Sequence, residues 1–186
     1  MAQTETIVKE HASWNMHCQW TIHRFRDPDG EIARMSKAGA SYEELIAKAG
    51  KNFLGREVFE RNVALNEGLQ YLIDTITGIQ GSPVLWDHTN ARVGVGNNTQ
   101  AADAGDAGLL GGSTAFAVMD TGYPQRSGQI GKWRGSFGDG QAEFAWEEYT
   151  VDNGSGSDKN LNRYVTSKGT KGSGETWTLE VDITFS

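Results

Sequence analysis

Trp14-Asn15-Met16-His17-Cys18-Gln19-Trp20-Thr21-Ile22 alternates apolar and polar side chains without a break. In an extended strand successive side chains point to opposite faces, so Trp14, Met16, Cys18, Trp20 and Ile22 share one face. That period predicts a strand with one buried side. The end of the sequence repeats it: Trp177, Leu179, Val181, Ile183 and Phe185 face one way, Thr178, Glu180, Asp182 and Thr184 the other. Between the two lie candidate strands at 83–87, 91–95, 115–120, 130–137, 141–150 and 161–167, with Phe144 and Trp146 alternating against Glu143 and Glu147. Turn-rich stretches join them, such as Asp152-Asn153-Gly154-Ser155-Gly156 and the glycine-studded run 168–174; of 24 glycines, 17 lie from Gly94 onward. Many short strands with glycine turns predict a mainly β chain folded as an antiparallel β-sandwich, jelly-roll or immunoglobulin-like.

Two segments break the strand pattern. Ser41-Tyr42-Glu43-Glu44 is a capping-box sequence before Leu45, Ile46 and Ala47, and predicts a short helix to about Ala49, ended by Gly50. Leu69, Leu72, Ile73 and Ile76 fall at i, i+3, i+4 and i+7, one apolar stripe of a helix over 66–77 with Asn66 as N-cap and Gly78 closing it. This helix is expected to cap one sheet. Asp27-Pro28-Asp29-Gly30 reads as a hairpin turn, with Glu31 to Met35 as the returning strand. The expected division is an N-terminal hairpin arm with a short helical insertion over 1–60, residues 36–60 being an excursion, and a sandwich body over 61–186.

The chain has 186 residues, enough to bury one core without staples. Its net charge of −7 argues against nucleic-acid or anionic-membrane partners, which call for clustered Lys and Arg. Cys18 is the one cysteine, so no disulfide within the chain exists and folding in a reducing cytoplasm is expected. Met1 to Glu10 is polar and predicts no signal peptide, and no apolar run is long enough to span a membrane.

The chemistry-bearing residues are sparse. His17, Cys18 and His23 suggest zinc, but neighbours on a strand face opposite ways, so His17 and Cys18 do not share a metal; solvated histidines and a core cysteine are expected. Gly154-Ser155-Gly156 and Gly172-Ser173-Gly174 lack the G-x-S-x-G of a nucleophile elbow. Glu147 and Glu148 likewise face apart and do not flank one glycosidic bond. One is expected to be solvated and the other to bond a neighbouring turn or partner. Gly94-Val95-Gly96-Asn97-Asn98 lacks the Lys of a P-loop, and Asp103 and Asp106 lack the calcium-loop spacing. The six tryptophans, Trp14, Trp20, Trp86, Trp133, Trp146 and Trp177, read as core or interface ahead of a sugar-stacking surface. No catalytic residue, cofactor or metal is expected.

Three segments carry a resemblance. Asn62-Val63-Ala64-Leu65-Asn66-Glu67-Gly68-Leu69-Gln70-Tyr71-Leu72 resembles the "N-L-x-x-N-x-G-L-x-x-L" helix start of many tailed-bacteriophage virion proteins. Val93-Gly94-Val95-Gly96-Asn97-Asn98-Thr99-Gln100-Ala101-Ala102, running on to Asp106-Ala107-Gly108-Leu109-Leu110-Gly111-Gly112, is similar to their "G-x-G-x-T-x-A" strand and loop with a Leu-Gly shortly after, the Thr here being displaced by an extra Asn. Ala142-Glu143-Phe144-Ala145-Trp146-Glu147-Glu148 resembles their "A-x-F-x-x-x-E" strand, followed by a strand bearing Arg163 and a final alternating strand. The resemblance spans about residues 62 to 185, and residues 36–60 look inserted against it.

What the resemblance implies is a virion structural component made in the host bacterial cytoplasm. It implies a capsid decoration or cement protein that contacts the major capsid protein and itself, a head fibre, or a neck or tail accessory part. A carbohydrate-binding, receptor-recognising module is the alternative from another class, and a hydrolase on a similar sandwich a third. Trp14, Met16, Trp20, Ile22, Leu69, Leu72, Ile73, Ile76, Trp177, Leu179 and Phe185 are the residues expected to form subunit or core contacts.

Overall fold

The computed structural model describes residues 15–79, 81–154 and 159–185. The first strand, β1 (Met16–Arg26), and the last, β10 (Glu175–Phe185), are antiparallel neighbours along their whole length, from Met16↔Phe185 to Arg26↔Glu175. That register matches parity to parity: Cys18 pairs with Ile183, Trp20 with Val181 and Ile22 with Leu179. A slip of one residue would turn every one of these side chains out of the core.

The elements between them are α1 (Glu31–Lys37), α2 (Tyr42–Ala49), β2 (Phe53–Glu60), β3 (Val63–Ala64), α3 (Asn66–Thr77), β4 (Arg92–Gly96), β5 (Thr114–Val118), β6 (Gln125–Ser127), β7 (Ile130–Phe137), β8 (Glu148–Asp152) and β9 (Asn162–Val165). They form two five-stranded antiparallel sheets, ordered β2-β1-β10-β7-β6 and β3-β9-β8-β4-β5. The protein is a mainly β, two-sheet sandwich. Trp20, Ile22, Leu179, Val181 and Ile183 from the first sheet meet Val93, Val95, Tyr149 and Val151 from the second in one core. A second, smaller core lies outside the first sheet, where Phe25 meets Ile32, Leu45 and Ala49 of the α1–α2 pair. No helix among the described residues is long and apolar enough to cross a membrane.

Several expectations are corrected. Glu31 to Met35 is helix α1, not a returning strand. The Asp27 carboxylate accepts hydrogen bonds from the Ile32 and Ala33 N–H groups at 3.0 and 2.9 Å, so the turn opens a helix. Ile32, Ala33 and Ser36 are buried, a helical spacing rather than an alternating one. Residues 16–60 are not an arm: β1 sits between β2 and β10 within the sheet. Part of the supposed excursion is the strand β2. Residues 83–87 are irregular, and of 141–150 only the part from Glu148 on is strand. Ala142 adopts φ 53°, which breaks an extended run.

Other expectations hold. The capping box at Ser41 is present, with Glu44 N–H donating to Ser41 Oγ and Ser41 N–H to Glu44 Oε2. Helix α3 occupies 66–77, with Leu65 rather than Asn66 at its N-cap and Gly78 left-handed at its end.

Candidate functional site

The segments that carry the phage resemblance meet around one buried ion pair. Glu148 on β8 and Arg163 on β9 are both fully buried on the outer face of the second sheet, with Arg163 Nη2 2.8 Å from Glu148 Oε2. The carboxylate also accepts from the Leu110 and Gly111 N–H groups at 3.0 and 2.7 Å. Arg163 reaches Asp106 Oδ2 at 2.8 Å and Asn98 Oδ1 at 3.3 Å. The loop between β4 and β5 is thereby pinned against the sheet. Gly96 and Gly111 leave room for the carboxylate, because a Cβ on either would collide with Glu148 Oε1. The expectation that one of the two glutamates bonds a neighbouring turn is met by Glu148, while Glu147 accepts from Ser167 Oγ at an exposed site.

The helix start belongs to the same unit. Asn66 N–H donates to Ala104 O at 2.8 Å, within the pinned loop. Glu67 Oε1 accepts from both the backbone N–H and the side-chain amide of Asn160, each at 2.9 Å. Gly68 lies on the Asn160–Leu161 backbone so closely that any Cβ would strike Asn160 O. Chemically the arrangement is a lock: Arg163 is shared between the Glu148 and Asp106 carboxylates, and both Glu148 oxygens are occupied. Asp103 and Asp106 are taken up by backbone N–H groups and by Arg163. Among the described residues no three His, Cys, Asp or Glu side chains are grouped to hold a metal.

Because Gly68 sets which side of α3 faces the body, the predicted stripe faces away from it. Leu69 is 36% exposed, Ile73 57%, Ile76 72% and Ile79, just past the helix, 73%. Leu72 is half-buried, and the inward side is made instead by Gly68 and by Tyr71, whose ring meets Trp86 edge-on. The expectation that the stripe caps a sheet is therefore corrected: it is an outward apolar surface.

A second polar centre, which the sequence reading does not anticipate, lies on the outer face of the first sheet. Arg134 is buried, with Nε 3.0 Å from Asp120 Oδ2 and its guanidinium over the rings of Tyr123 and Tyr42. Ser36 of α1 and Ser136 of β7 also donate to Asp120, at 2.8 and 2.9 Å, stapling the helix layer to the sheet. Next to it a cleft of about 430 Å³ is lined by Gln19, His23, Tyr42, Arg56, Lys132, Glu180 and Asp182, among others. Burial, then Arg56 and Arg134, lowers His23 to about 4, so the ring is neutral and stacks on Tyr42 at 3.7 Å. The expectation of solvated histidines fails here, since His23 is buried. Burial raises the Glu180 carboxyl, with Asp182 adding to it, while Lys132 pairs with Asp182. The polar sides of β1 and β10 carried the signal: paired antiparallel, they bring His23, Thr21 and Gln19 alongside Thr178, Glu180 and Asp182.

The remaining expected contact residues are core. Trp20, Ile22, Trp177 and Leu179 are buried, and Met16 and Phe185 pack half-buried against the same cluster. Trp14 lies outside the described residues. Cys18 is buried and its thiol is pushed up to about 12 by that burial. The fold and site define a β-sandwich protein with a locked surface loop and an outward apolar helix. Compared with models of known families, with curated proteins and with solved structures, the chain matches none.

Proposed function

We propose that this protein is a structural component of a bacteriophage particle, a decoration or cement protein of the head, and that it catalyses no reaction. The observation that carries the reading is the stripe of Leu69, Ile73 and Ile76, which leaves its own sandwich to face outward. An assembly protein repeated on a lattice gains from such a patch, because many modest contacts add up. The resemblance to tailed-phage virion proteins supports the same reading, since its scattered motif residues converge on one locked loop and helix start. Fractionation of phage particles tests it: the protein is expected in tail-less heads at many copies per particle. Recovery with tails alone would favour the neck or tail alternative, and recovery only from cell extract would overturn a virion role.

The sugar-binding alternative draws less support. Trp20, Trp146 and Trp177 are buried, and the half-buried Trp86 and Trp133 donate their indole N–H groups to the Lys159 and Trp86 carbonyls. The hydrolase alternative rests on the cleft beside Glu180 and Asp182. Against it, Lys132 pairs with Asp182 and Tyr123 bonds Glu180, so both carboxyls already have partners inside the protein.

A further inference from the structure

Strand β2 is the outer edge of the first sheet. It pairs with β1, and its other side pairs with no strand among the described residues. An open edge presents unpaired backbone donors and acceptors, which proteins blunt with bulges, charges or short length. In β2 the blunting is partial. A bulge interrupts the ladder where Arg24 pairs with Gly55 and Phe25 with Phe53, and Arg61, at φ 117°, ends the strand. Between these points Arg56 to Glu60 run in regular register with β1, from His23↔Arg56 to Gln19↔Glu60. Arg56, Val58 and Glu60 project from one face and all three are exposed. Among the described residues neither Arg56 nor Glu60 is committed to an ion pair, whereas Glu57, on the other face, is held by Arg24 and Lys168 at 2.8 and 2.6 Å.

The order of these charges selects a partner. We propose that β2 pairs antiparallel with β2 of a second copy of this chain, about a two-fold axis at Val58. In that register Val58 faces the second copy's Val58, and Arg56 and Glu60 face Glu60 and Arg56, giving two cross-strand ion pairs around an apolar centre. Other registers are worse. An axis on Arg56, Glu57 or Glu60 sets like charges face to face, and an axis on Phe59 leaves Arg56 without a carboxylate. The pairing continues the first sheet across the axis and covers an open edge, an isologous contact in which one patch serves both subunits. It does not depend on a role in a phage particle.

Sedimentation velocity of the full chain over a wide concentration range tests the pairing. The wild type is expected to form a reversible dimer. Arg56→Glu and Glu60→Arg should each weaken it roughly tenfold, because each replaces two attractive pairs by two repulsive ones. The double swap R56E/E60R should restore the affinity of the wild type. Independently, Val58→Cys should give a disulfide-linked dimer on mild oxidation, with the buried Cys18 remaining unreacted. A wild type that stays monomeric at high concentration, a dimer indifferent to the single swaps, a double swap that fails to restore it, or a V58C chain that stays unlinked would each overturn the proposal.

Discussion

At the scale of single residues, buried charge decides what is fixed. Glu148 and Arg163 are fully buried together, and the pair is neutral only as a pair. Glu148→Ala would leave Arg163 with the Asp106 carboxylate and the Asn98 amide oxygen, and would release the Leu110 and Gly111 N–H groups. We expect a loss of about 3–5 kcal/mol in urea unfolding, the range for breaking a buried pair from one side. His23 gives a pH dependence. Its folded value of about 4 lies below the unfolded 6.5, so the unfolded chain binds the extra proton between those values. The stability it contributes is intact above pH 6.5 and is lost as pH falls toward 4, by roughly 2–3 kcal/mol for a displacement of this size. Asp120 and Glu180 act in the opposite sense, because burial raises both carboxyls. Replacing His23 by Leu should flatten the decline in melting temperature between pH 6.5 and 5. An unchanged slope would remove His23 from the account.

At the scale of elements, α3 separates packing from presentation. Gly68→Ala forces a methyl group into the Asn160 carbonyl and should destabilise by about 1–3 kcal/mol. Ile73→Asp, on the outward side of the same helix, should shift stability by no more than about 0.5 kcal/mol. Thermal melts of the two variants decide whether the helix is oriented as described. The same helix shows the limits of pattern reading. The stripe at 69, 72, 73 and 76 located α3 but not its environment, because periodicity says which residues share a face and not what that face meets. β1 and β10 were legible because both are interior strands with a clean period of two. β2 was not: in Phe53-Leu54-Gly55-Arg56-Glu57-Val58-Phe59-Glu60 apolar and charged residues come in adjacent pairs, so the alternating burial of this bulged edge strand leaves no period of two in its sequence. The Pro28-Asp29-Gly30 turn misled because the same residues open a hairpin or a helix, and the deciding contact is the Asp27 carboxylate on two helix N–H groups. The Glu148–Arg163 lock joins side chains fifteen positions apart. Only the resemblance placed them in one context, and nothing in their spacing predicted that they touch.

At the scale of the whole molecule, the sandwich carries a helical layer on one side and a locked loop on the other. Since β1 and β2 make up two of the five strands of the first sheet, deleting residues 1–60 should abolish the fold, not free an arm. A near-ultraviolet circular dichroism spectrum of the truncated chain should lose its aromatic bands. A truncated chain that kept them would show that the second sheet folds without the first. Among the described residues the apolar side of α3 and the edge of β2 are both exposed, and the proposed assembly role gives both a purpose. The most direct test of that role is cosedimentation of the purified protein with intact phage heads, comparing wild type with the double variant I73D/I76D. The account predicts that the wild type pellets with heads and that the variant, equally folded, stays in the supernatant. Equal binding by both would show that the outward helix is not the contact, and no binding by the wild type would contradict the head assignment itself.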